Sequence, residues 1–88
     1  MAEKNFMTEW EKESPETLKS FVGMADTIRD HGGLDEKTFQ LVYIGIQAGR
    51  SAVGSVAAHA GFAKKAGATR EEVRGAVLVS LMTAGVSG

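Results

Sequence analysis

The sequence predicts an all-α fold: four main helices and a short N-terminal one. Three observations predict it. Ser14-Pro15-Glu16, Asp35 and Thr69-x-x-Glu72 are each a helix-start signal placed just before a run of apolar residues. Those runs repeat at three and four residues, the spacing of one helical face. Glycines close them, at His31-Gly32-Gly33 and at Gly67.

Residues 1–13 are polar, with Phe6, Met7 and Trp10 interspersed at helical spacing. They are expected to form a short helix or a hydrophobic flap, and residues 14–88 one helical domain. In the second segment Ser14 is the expected cap, Pro15 suits the first helical position and Glu16 complements the positive end of the dipole. Leu18, Phe21, Val22, Ala25 and Ile28 form its apolar stripe. His31 falls in the last turn, where a cation is favoured, and this capping role is the reading adopted for it.

Asp35 is expected to cap a helix running from Glu36 to about Ala48. Leu41, Val42, Tyr43, Ile44 and Ile46 follow so closely that burial on most sides is expected. Gly49-Arg50-Ser51 is read as a brief break. The next helix is built from small residues, with Ala52, Val53, Val56, Ala57, Ala60 and Ala63 on one face. Lys64 and Lys65 stand at its end, and Gly67 is the expected left-handed residue. Thr69-x-x-Glu72 reads as a capping box. The last helix carries Val73, Ala76, Val77, Leu78, Val79, Leu81, Met82 and Val86, more apolar surface than one exposed helix of a small domain can leave in water. An oligomer interface is expected there.

Composition removes several functions. The 88 residues include ten basic and eleven acidic side chains, net −1, mixed along the chain. There is no basic stripe for nucleic acid and no polybasic patch for a membrane. The N-terminus is acidic where a signal peptide would be apolar, and the longest apolar stretch is too short for a membrane span. There is no cysteine, which excludes disulfides, thiolate metal sites and a cysteine nucleophile, and fits a reducing cytoplasm. His31 and His59 sit on different helices without His-x-x-x-His spacing, so no metal is expected. No glycine motif supports a nucleotide, so no cofactor is expected either.

His59 remains as the candidate proton carrier, since an imidazole titrates near neutrality. The plain alternative is a buried histidine hydrogen-bonded to a neighbouring helix. Ser55, one turn before His59, shares its face, but an isolated Ser/His pair is a weak sign of a serine nucleophile. Tyr43 reads as core packing with a solvated tip.

The stretch from Leu34 to the C-terminus resembles the carboxymuconolactone decarboxylase family, within the alkylhydroperoxidase D-like superfamily. The matching residues are Leu34-Asp35-x-Lys37-Thr38, His59, Gly67-Ala68-Thr69-Arg70-Glu71-Glu72-Val73 and Ala84-Gly85-Val86. The resemblance implies a helical bundle assembled as a trimer or hexamer. In the alkylhydroperoxidase branch a C-x-x-C pair, a histidine four residues after it and a glutamate twelve before it reduce peroxides. Aligned through His59, those positions hold Ala52, Ser55 and Gln40, so a peroxidase cycle lacks both thiols and the carboxylate. The decarboxylase branch works without the cysteine pair on a small carboxylated lactone. There the resemblance implies His59 as acid/base, with Arg50, at the start of its helix, as carboxylate clamp and with Gln40 and Ser55 helping to bind the compound. Phe39 and Gln40 depart from that branch, which tends to place charged residues after the position of Thr38. Two readings follow: a lyase-like enzyme without thiols, or a non-catalytic oligomeric helical module that binds a small ligand.

Overall fold

The computed structural model describes residues 6–85, and Val86 and the other terminal residues lie outside the described part. All regular structure in it is helical: α1 (Phe6–Glu13), α2 (Pro15–His31), α3 (Glu36–Gly49), α4 (Val53–Lys65) and α5 (Arg70–Thr83). The chain forms two compact units, divided between Gly33 and Leu34.

The first unit is a helix pair. Trp10 organises it. Its ring lies 5.1 Å from that of Phe21 on α2 and 6.3 Å from Phe6. Its indole N–H donates to Thr17 Oγ1 at 2.7 Å, so the polar edge of a large apolar side chain is satisfied. Ser14 does not make the side-chain cap expected of it. Its Oγ lies 2.8 Å from Thr17 Oγ1, which turns the hydroxyl toward that side chain. Residues 6–13 are helix, the first of the two expectations for that segment. On α2, Phe21, Val22, Met24 and Ile28 are all exposed.

The second unit is built around α3, which packs along both α4 and α5, while α4 and α5 touch little. Ile44 and Ala63 are its fully buried apolar residues among those described, joined by Gln40 and Ser80. Glycine lets α3 approach α5 closely. A Cβ at Gly45 would stand 3.3 Å from the Ala76 carbonyl oxygen, and one at Gly49 3.2 Å from the Ala84 methyl. α3 is not buried on all sides: Val42 and Ile46 remain 47% and 59% exposed. Two neighbouring helices cover two flanks of a cylinder, and the third stays open.

The helix ends follow their chemistry. Asp35 Oδ1 accepts from the Thr38 N–H at 2.8 Å, and that bond holds its carboxyl below the ordinary value. Thr69 and Glu72 make the full capping box. Glu72 Oε1 takes the Thr69 N–H while Oε2 binds Lys37 Nζ at 3.0 Å, so this carboxylate also ties α5 to α3. These bonds, the Thr69 N–H first, depress its pKa. At the end of α4, Ala68 N–H bonds to Ala63 O and Gly67 N–H to Lys64 O. With Gly67 at φ +99° this is a Schellman turn.

The end of α3 repeats that turn with a different residue in the left-handed position. Ala52 N–H bonds to Gln47 O, Ser51 N–H to Ala48 O, and Ser51 sits at φ +61°. The break expected over Gly49-Arg50-Ser51 is found there, with Ser51 as its left-handed residue; Gly49 is the last helical residue and is small because Ala84 lies against it. Arg50 accordingly caps α3 and does not start the helix of His59.

Candidate functional site

On α3, Glu36, Gln40, Tyr43, Gln47 and Arg50 recur at four and three residues, which places them along one face. On α4, Ser55, His59 and Phe62 do the same. The two faces meet, and the polar groups pair across them.

His59 is half-buried, and its ring is held on several sides. Tyr43 stacks on it with centroids 3.8 Å apart and planes 18° from parallel. Phe62 meets it edge-on at 5.0 Å. Nδ1 lies 2.7 Å from Gln40 Oε1. The Gln40 side chain is 1% exposed, and its amide nitrogen donates to Glu36 Oε2 at 2.8 Å. A buried amide thus stands between an imidazole and a carboxylate with both of its ends used.

Farther along the seam Gln47 plays a similar part. Its amide nitrogen donates to Ser55 Oγ at 2.9 Å, and its carbonyl oxygen accepts from Arg50 Nη1 at 3.1 Å. Arg50 and Ser55 are therefore joined through one glutamine. All four residues picked out from sequence, His59, Gln40, Ser55 and Arg50, lie on this seam. Gln40 contacts His59 directly; Ser55 stands one turn before His59 on α4, about 6 Å of rise, whereas Arg50 lies ten residues beyond Gln40, about 15 Å along the α3 axis.

A profile of the carboxymuconolactone decarboxylase family matches residues 15–88. The chain belongs to that family. No curated protein and no solved structure matches it.

Within this carboxymuconolactone decarboxylase family chain, Gln40, nineteen residues before His59, is the residue that reaches the imidazole. The carboxylate of the seam is Glu36, one turn earlier. Glu36 and Gln47 were not picked out from sequence. Their signal was the helical face itself: four residues before and seven after Gln40. Tyr43 packs on the His59 ring.

A groove of about 580 Å³ runs between α3 and α5, lined by Leu41, Val42, Ile46, Ala76, Val79 and also Arg50. It is apolar, and His59 is not among its lining residues. Among the described residues no three His, Asp or Glu side chains converge as a metal site would need, and no helix is long and apolar enough to cross a membrane.

Proposed function

We propose that this chain is a cysteine-free family member that acts on a small organic compound by proton transfer at His59. The observation that carries the proposal is the Glu36–Gln40–His59 chain of hydrogen bonds, with Tyr43 and Phe62 fixing the ring plane. Loss of CO2 from a carboxylated lactone leaves an electron pair on carbon, and a positioned imidazolium can deliver the proton that captures it. Arg50 is the clamp for a second carboxylate: its guanidinium has five N–H donors, and the Gln47 contact uses one. Ser55 shares the α4 face of His59 one turn away and can meet the compound, while Gln40, 1% exposed with both amide ends engaged, acts through the imidazole.

The test is CO2 release from a carboxylated muconolactone by the wild-type protein and by His59→Ala. General acid–base catalysis contributes about 10²- to 10⁴-fold, so the variant should lose at least two orders of magnitude. Equal rates in the two proteins would remove the assignment. Hydroperoxide supplied with a dithiol reductant should not be consumed above blank, because no thiolate exists to attack it.

The second reading is a binding module without turnover. It is favoured by Gln40, Ala52 and Ser55 standing where the peroxidase branch places its glutamate and two cysteines. Under that reading a small acid binds the seam, wild type and His59→Ala alike show no turnover, and Arg50→Ala weakens binding.

Self-association in the cytoplasm completes the proposal. Leu78, Val79, Leu81 and Met82 on α5 are 45% to 84% exposed, and burying a large apolar side chain is worth about 1.5 to 3 kcal/mol. A second copy of the chain would cover them. Sedimentation of a Leu78→Glu, Met82→Glu double variant should show smaller particles than the wild type. An unchanged distribution would place the interface elsewhere.

A further inference from the structure

We propose that Glu36 is a positioning residue: acting through Gln40, it holds neutral His59 with its proton on Nδ1 and so makes Nε2 the atom that exchanges protons with the ligand. The inference rests on the reading of His59 as the proton carrier and names the working atom of that site.

The argument is one of donors and acceptors. A carboxylate only accepts. Facing Glu36 Oε2 at 2.8 Å, the Gln40 side chain must present its NH2 there. Its carbonyl oxygen is then the end that points at His59, 2.7 Å from Nδ1. A carbonyl oxygen also only accepts, so Nδ1 must donate. In the neutral ring the remaining nitrogen, Nε2, then carries the basic lone pair. Gln40 is 1% exposed, so water cannot readily substitute for either partner. Tyr43 stacked on one face and Phe62 at the edge resist a flip of the ring that would exchange the two nitrogens. Without Glu36 the amide could turn over and present its NH2 to the ring, and Nδ1 would become the acceptor.

The experiment reads the tautomer directly, by long-range ¹H–¹⁵N correlation of the imidazole in the full chain above the pH at which His59 titrates. The wild type should show a protonated Nδ1 and a bare Nε2. Glu36→Lys places a donor-only group beside Gln40, so the amide should turn and the proton should move to Nε2. Glu36→Gln accepts either orientation and should give a mixture. Far-UV circular dichroism checks that each variant is folded; if the lysine variant is not, the glutamine variant decides. A wild-type ring protonated on Nε2, or the same nitrogen protonated in every folded variant, overturns the proposal. The readout needs no substrate. An Nδ1-protonated ring in a protein without turnover would leave this inference standing and remove the functional reading, and turnover that depends on His59 with an Nε2-protonated ring would do the reverse.

Discussion

Replacing Gln40 with leucine tests the seam as an energetic unit. The side chain is 1% exposed and bridges Glu36 and His59 at 2.8 and 2.7 Å. Leucine is of similar size, so the change removes polarity more than volume. The His59 ring nitrogen then faces an alkyl group, and an orphaned buried donor costs about 1 to 3 kcal/mol. Glu36 lies at the surface and is rehydrated, so its lost bond costs about 1 kcal/mol. Apolar burial returns about 1 to 2 kcal/mol. The net expectation is a loss of about 1 to 2 kcal/mol, a fall in Tm of roughly 5 to 15 °C for a domain of this size. Replacing both Gln40 and His59 with leucine removes both ends of their bond and should cost clearly less than the sum of the two single changes. The double-mutant cycle should therefore show a coupling of about 2 kcal/mol. The assay is urea and thermal unfolding by circular dichroism at one fixed protein concentration, since association would shift the midpoint. Additivity of the two single changes to within about 0.5 kcal/mol would refute the argument that the pair is coupled.

Three further outcomes are expected. Ser51→Gly should stabilise the fold by about 1 kcal/mol, because a left-handed serine at φ +61° carries a steric cost that glycine lacks; a lowered urea midpoint would contradict this. Gly45→Ala should destabilise despite alanine's better helix propensity, since the new methyl would stand 3.3 Å from the Ala76 carbonyl, and a raised Tm would show that α3 and α5 can part freely. Asp35 and Glu72 both have pKa values depressed in the folded state, mainly by the N–H groups of Thr38 and Thr69. Their contribution is therefore present above the ordinary carboxylate range and is lost as pH falls through the depressed values, below about 4. Stability measured from pH 6 down to pH 2 should decline in that window, and in Asp35→Asn, Glu72→Gln the decline should be shallower; identical slopes would rule these two carboxylates out.

Helix positions were legible because their signals are local. Asp35 and the Thr69–Glu72 box depend on residues three apart, and the structure contains both bonds. Gly67 is legible for the same reason. Ser14 misled because the nearby Thr17 offered its hydroxyl a partner off the backbone. The break over Gly49-Arg50-Ser51 was legible, but not that Gly49 itself stays helical to admit Ala84. Ser51, bearing a side chain, gave no sign that it would take the left-handed turn. The seam was half legible. His59 and Ser55 could be named from residue type and spacing, and Gln40 and Arg50 through the family resemblance, but the pairing of Gln40 with His59 spans nineteen residues and depends on how α3 meets α4. Glu36 stayed hidden because a glutamate in the first turn of a helix already has a sufficient explanation in the dipole.

Glu72 gives one carboxylate two duties at once, closing the first turn of α5 and gripping Lys37 near the start of α3. Fraying at one helix therefore loosens the other. Amide protons at the beginning of α5 and at the beginning of α3 should open to solvent as one cooperative unit, although thirty-five residues separate the two side chains.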